Sequence, residues 1–260
     1  MPRTSRIISS TGIYHIILRS VNKHIIFEEE ADYQKFLFIL SDYQKTYDVD
    51  ILAYCLMDNH IHIMIKSVDD YLSKFLQSFC STFARWYNSK YERYGHLFQE
   101  RFFSRPVEDI NYYLNTLIYI HNNPVEAGSC RFPSEYQWSS FNAFYGSKNN
   151  LVNLNFSIEL IGSLKNIQNF FAVYSSNPDY VLDPSEYDYI PAKFLLTDEQ
   201  ALDIYKQLTG FDNTYDIIEI RKVERNRIIR DLIDNGLSQS QISRLTGLSV
   251  PTIHRISKAK

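Results

Sequence analysis

Alternation and helical spacing divide the first half of the chain into seven segments. Residues 12–21 (GIYHIILRSV) are rich in β-branched and aromatic side chains, as a strand requires. Residues 30–46 place Tyr33, Phe36, Leu37, Ile39, Leu40 and Tyr43 at helical spacing. Residues 49–57 (VDILAYCLM) read as a buried strand and Asp58-Asn59 as a turn. Residues 60–66 (HIHIMIK) alternate strictly, which predicts a second strand and a hairpin. A long helix follows over 69–90, with Leu72, Phe75, Leu76, Phe79, Phe83 and Trp86 along one side. Residues 97–104 (LFQERFFS) predict another strand. Asp109 predicts the cap of a helix that runs through Tyr119 and ends before Pro124. This order predicts an α+β, ferredoxin-like split βαβ domain. Its sheet is antiparallel with helices on one face, and one helix is added at its end.

The pattern loosens after Pro133 and becomes helical again near Thr197. The predicted division is a domain over 1–132, a connector over 133–196 packing partly on it, and a helical region over 197–260. Helices are predicted from Thr197 to Leu208 and over 217–235. Ser238 then caps a short helix, Gly247 makes a turn, and Ser249 caps a second helix with Pro251 in its first turn. A short helix, a glycine turn and a basic second helix over 238–258 form a helix-turn-helix signature.

Composition narrows the class. No apolar stretch is long enough to span a membrane, and the N-terminus lacks the apolar core of a secretory signal. Cys55, Cys80 and Cys130 are far apart and lack metal spacing, so a reducing cytoplasm is expected. The net charge of −3 hides a strong division along the chain. Residues 1–27 carry Arg3, Arg6, Arg19 and Lys23 with no acid, and residues 221–260 carry a net +6. Residues 151–220 carry a net −8. Because salt screens charge beyond about 10 Å, local sign steers a polyanion more than the total does.

Two segments carry chemistry. In His60-Ile61-His62, residues i and i+2 of a strand face one side, so both imidazoles point at one spot and can clamp a metal. The other reading is an exposed pair of strand histidines. In the segment from Tyr119 to Pro124 (YIHNNP), Tyr119 and Asn123 share a helix face at i and i+4. The Asn123 carboxamide oxygen can complete a His-His-Asn metal site with the Tyr119 phenol one turn away. The other reading puts Tyr119 in the apolar stripe of Leu114, Leu117 and Ile118, with Asn123 capping the helix. His121 projects in another direction around the helix and is not assigned as a base.

The segments DNHIHIM, GHLFQERFFS and YIHNNPVEAG occur in the same order and at similar separation in another group of proteins. Over about residues 8–140 the sequence resembles the REP-associated tyrosine transposases, which belong to the HUH single-tyrosine transposases of simple insertion sequences. The resemblance implies that His60 and His62 are metal ligands, Asn123 the third ligand and Tyr119 the nucleophile. It implies cleavage and rejoining of single-stranded or hairpin DNA through a 5′-phosphotyrosine, with Mg²⁺ or Mn²⁺. Tyr112 and Tyr113 are the other candidate nucleophiles, though neither has Asn at i+4. One departure is Ser129-Cys130 after Gly128, where the family usually has an aliphatic residue.

Basic residues interleaved with aromatics suit a bound strand. On that ground Arg85, Trp86, Lys90, Arg93, Arg101 and Arg105 are candidate DNA contacts. In the helix-turn-helix, Ser249, Thr252, Arg255 and Lys258 are candidates for contact with duplex DNA. A monomer or a homodimer fits this reading. The alternatives are a replication or transfer nicking enzyme of the same class, a non-catalytic sequence-specific DNA-binding regulator, and a metal-dependent nuclease that uses water.

Overall fold

The strict alternation of His60–Lys66 sorts its side chains onto two faces that are both buried. Ile61, Ile63 and Ile65 enter one core, and Met64 enters another on the opposite side of the sheet. In the computed structural model, which describes residues 8–67, 69–99, 102–176, 196, 198–211, 213–237 and 239–258, this strand is β3. It pairs antiparallel with β1 (Ile13–Arg19) and β2 (Asp50–Leu56), and β1 pairs antiparallel with β4 (Phe103–Pro106). The sheet order β2-β3-β1-β4 is that of the ferredoxin-like split βαβ domain read from the sequence.

Helices α1 (Glu30–Tyr47) and α2 (Asp69–Lys90) cover one face. They bury Phe36, Leu40, Phe75, Phe79 and Phe83 against Tyr14, Ile16 and Ile63. Helix α3 (Ile110–Glu126) crosses to the other face and sets Leu114, Leu117 and Ile118 against Ile13, Cys55 and Met64. The expectation of helices on one face therefore holds only for α1 and α2. A sheet that is apolar on both sides must be covered on both. Residues 133–176 deepen the second layer through α4 (Leu154–Ile161) and α5 (Leu164–Ser176). Phe141, Phe144, Phe156, Phe170 and Phe171 pack around α3 there.

Two expected boundaries in the first domain differ. Helix α3 does not end before Pro124 but continues to Glu126, with Pro124 buried inside it. A proline removes only its own N–H, and packing of the helix holds the following turn in place. Gly128, at φ 70°, then closes the helix by donating to the Val125 carbonyl. The strand expected over 97–104 pairs in two separate pieces. Gln99 N–H donates to the Arg19 carbonyl, and Phe103 stands opposite Ile17. Between those contacts β1 advances two residues and its neighbour four.

The C-terminal helices α6 (Asp198–Thr209), α7 (Lys222–Asp234), α8 (Gln239–Thr246) and α9 (Val250–Lys258) build their own core. Ala201, Tyr205, Ile229, Leu232, Ile242 and Ile253 fill it. The helix expected over 217–235 begins only at Lys222, after a 3₁₀ turn at Thr214–Ile218. The expected cap Ser238 lies outside the described residues. Helix α9 also touches the first domain. Lys258 Nζ lies 2.9 Å and His254 Nε2 3.3 Å from Asp48 Oδ2, and the His254 ring meets Tyr71 edge-on. Among the described residues, no helix is long and apolar enough to cross a membrane.

Gly247, between α8 and α9, is required twice over. Its φ is +70°, and a Cβ there would stand 2.8 Å from the Tyr215 ring. Gly247→Ala should cost about 1–3 kcal/mol through left-handed strain and overpacking. Urea unfolding followed by circular dichroism checks this. An unchanged midpoint would mean that Tyr215 simply yields.

Candidate active site

The site begins with register. On the α3 side of the sheet, His60 and His62 of β3 stand opposite Arg19 and Ile17 of β1, and His15 is the next β1 residue on that face. His15 Nε2 lies 3.0 Å from His62 Nδ1, with the rings stacked at 5.2 Å. Helix α3 lies over these rings. The Tyr119 ring meets His62 edge-on at 5.2 Å and His15 at 5.8 Å. One turn on, Asn123 Oδ1 lies 3.3 Å from His60 Nε2. The persistence of α3 through Pro124 keeps Tyr119 and Asn123 on one face. The structure thus brings His60, His62, Tyr119 and Asn123 to a single place.

Hydrogen bonds orient the two groups that face each other. Asn123 Nδ2 donates to the Tyr119 carbonyl at 2.7 Å, which turns Oδ1 toward His60. His60 Nδ1–H donates to Asn59 Oδ1 at 2.7 Å. A neutral His60 then presents a lone pair at Nε2 to the lone pairs of Asn123 Oδ1. Two facing acceptors repel each other unless a cation lies between them. Burial lowers the pKa of His62 to about 2 and that of His15 to about 4, the latter also pressed down by Arg105. Burial likewise lowers His60. The imidazoles are therefore neutral at pH 7, the form that binds metals. Among the described residues, no group of three His, Cys, Asp or Glu is arranged to hold a metal ion. The donor set here is two imidazoles and a carboxamide oxygen, ligand types that divalent metal ions accept.

These shifts carry a stability consequence in the metal-free protein. Burial also lowers His121 to about 3, where it lies among Phe141, Phe144 and Phe171. The unfolded chain protonates His15, His62 and His121 below about pH 6.5, whereas the folded chain does not. Stability is therefore complete above pH 6.5 and falls as the pH drops from 6.5 toward 4. The three groups together give a slope of up to about 4 kcal/mol per pH unit. Urea unfolding at pH 7, 6 and 5 measures it, and a flat profile would contradict the burial argument.

The remaining expected contacts separate. Arg105 lines a cleft of about 660 Å³ beside Tyr119, together with Arg19, Phe103 and Asn115. Arg85, Trp86, Lys90 and Arg93 do not join it, because α2 covers the opposite face of the sheet. Lys90 is paired with Glu29 and Asp32 and lies over the Trp86 ring. Arg93 lies over Tyr87, and Arg85 donates to Thr82. Arg101 is outside the described residues. On α9, Arg255 is exposed, the Ser249 and Thr252 hydroxyls pair at 2.9 Å, and Lys258 is engaged by Asp48. Of the other tyrosines considered, Tyr113 is fully buried and bonded to Ser157, while Tyr112 lines the cleft.

Sequence reasoning passed over His15. A signal existed, since His15 is a polar ring in an otherwise apolar strand, the same feature that singles out His60 and His62. Its partner is set by the β1–β3 register, which the residues of β1 alone do not specify.

Residues 9–123 match the family profile described as "Transposase IS200 like". Among solved structures, the chain is similar to a REP-associated tyrosine transposase bound to a REP hairpin. That match has 18% identity and a TM-score of 0.50, over 56% of this chain and 87% of that one. It is also similar to a protein of Deinococcus radiodurans provisionally described as a transposase, at 17% identity and a TM-score of 0.34, over 47% of this chain and 97% of that one. No curated protein matches. The resemblance carried by the three motifs is thus borne out, and the first structure shares the fold.

Proposed function

We propose, from the premise that residues 9–123 belong to the IS200-like transposases, that this chain cleaves and rejoins single-stranded DNA with Tyr119 as nucleophile. The observation that carries this reading is the convergence of His60, His62 and Asn123 beside the Tyr119 ring. His60, His62 and Asn123 would hold Mg²⁺ or Mn²⁺. When bound, such a cation polarises a non-bridging oxygen of the scissile phosphate. His15 acts through His62. It accepts a hydrogen bond from Nδ1–H, which leaves His62 Nε2 as the ligand atom.

The Tyr119 oxygen bonds to phosphorus while the bond from phosphorus to the 3′ oxygen breaks. The phenol loses a proton, the departing strand gains one as its 3′-OH, and a 5′-phosphotyrosine remains. Attack on this ester by the 3′-OH of another strand reverses the step and regenerates the phenol. The phosphodiester energy is retained throughout, so rejoining needs no external energy source. Tyr119 is 42% exposed and lines the cleft through which a strand would approach.

The substrate proposed is single-stranded or hairpin DNA, in keeping with the REP hairpin bound by the structural relative. Helix α9 would add duplex contact through Ser249, Thr252 and Arg255. The test is to incubate the protein with labelled hairpin oligonucleotide and Mn²⁺, then resolve the products under denaturing conditions. A covalent protein–DNA species whose phosphopeptide contains Tyr119 is expected. Cleavage with no adduct would replace this reading with a nuclease that uses water. DNA binding without cleavage would leave the regulator.

A further inference from the structure

The cleft beside Tyr119 has features that the catalytic cluster does not use. It opens between α3 and β4, the edge strand of the sheet. Among the described residues, two arginines line it, Arg19 and Arg105, and no carboxylate does. Arg19 stands at the end of β1, whereas Arg105 stands opposite His15, four positions away. At strand rise, that offset is about 13 Å. Between the two arginines lies an apolar platform. Phe103 is 51% exposed and pairs with Ile17 on the same face, and the Arg105 guanidinium lies 5.3 Å over its ring. On the facing wall Asn115 is exposed, four residues before Tyr119 and on the same side of α3.

An exposed aromatic flanked by two cations, with a carboxamide opposite, matches a base and nearby backbone phosphates of an extended strand. Aromatic faces stack bases irrespective of sequence, and cations take the phosphates. A carboxamide offers both donors and acceptors to a base edge. The cleft volume of about 660 Å³ falls within the ordinary range for small-molecule sites.

We propose that this cleft seats the strand next to the scissile phosphate, with a base stacked on Phe103 and facing Asn115 and nearby backbone phosphates on Arg19 and Arg105. This deepens the reading of Tyr119 as nucleophile and rests on it for the strand's position, but binding in the cleft does not need the chemistry. Phe103 is a positioning residue. It aligns the strand so that the phosphate lies at the phenol.

The experiment uses the full chain with a short oligothymidylate carrying 4-thiothymidine, photocrosslinked and mapped by mass spectrometry. The crosslinked peptide should contain Phe103. Phe103→Leu keeps the position apolar but removes the stacking face, and should weaken single-strand binding by roughly 5- to 100-fold and lose the crosslink. Phe103→Trp should retain both. Arg105→Ala should reduce the salt dependence of binding by about 0.7 in the logarithmic slope, as expected for one lost phosphate contact. Equal affinity of Phe103→Leu and the parent protein, or crosslinks confined to α2 or α9, would overturn the proposal. Equal weakening of duplex binding by Phe103→Leu would also overturn it, since a paired base cannot stack there. A crosslink at Phe103, with no covalent adduct at Tyr119 when the hairpin oligonucleotide and Mn²⁺ are supplied, would instead reject the nucleophile and leave the cleft standing.

Discussion

Tyr119→Phe removes the covalent protein–DNA species altogether and lowers strand cleavage by roughly a thousandfold or more, in line with losses on removing a catalytic nucleophile. A thousandfold corresponds to about 4 kcal/mol of barrier. The substitution deletes a single oxygen. The ring keeps its edge contacts with His62 and His15, so the fold and the positions of both imidazoles should not change. Binding of the hairpin oligonucleotide should therefore match that of the parent protein, which separates lost chemistry from lost structure. Denaturing electrophoresis of the labelled product measures the adduct, and rapid quenching measures the rate. A persistent adduct would transfer the role to another tyrosine. Tyr112 is the nearest alternative because it lines the same cleft, while Tyr113 is buried against Ser157.

The joint change His60→Ala and His62→Ala should abolish cleavage even in saturating Mn²⁺, while binding of single-stranded DNA persists. Mn²⁺ affinity, followed by calorimetry or by loss of the free-ion paramagnetic signal, should fall by more than about a hundredfold. That exceeds the loss typical of an outer-shell partner, which is roughly 10- to 100-fold. His15→Ala belongs to the milder class, because its Nε2 touches His62 rather than the cation position. The comparison matters because His62 is buried and its truncation leaves a small cavity. Stability loss alone would weaken DNA binding and cleavage together. Ligand loss removes cleavage and metal affinity and leaves DNA binding. Cleavage unchanged in the double variant would reject both histidines as ligands.

Some of this was present in local sequence. A strand repeats every two residues, so HIHIMIK alone put His60 and His62 on one side. A helix repeats every 3.6 residues, so Tyr119 and Asn123 had to share a face if α3 continued that far. Whether it continued was not local, because Pro124 argues for a stop and only burial of the helix carries it to Glu126. The interleaved basic and aromatic residues of α2 were equally visible, but their side of the sheet was not. Tertiary packing put Arg85, Trp86, Lys90 and Arg93 behind the sheet and left Arg105 beside Tyr119.

Sequence by itself determined the elements of the first domain, their order and the facing of each short motif, because these depend on neighbours one turn or one pleat away; it did not show the helices α4 and α5. Only the tertiary structure decided that α3 covers the histidine face, that β1 brings His15 to His62, and that α9 rests on Asp48. Those outcomes depend on which apolar surfaces find each other across long separations in the chain. In a sheet buried on both sides, the alternation of each strand looks acceptable from either face, so periodicity cannot choose between them.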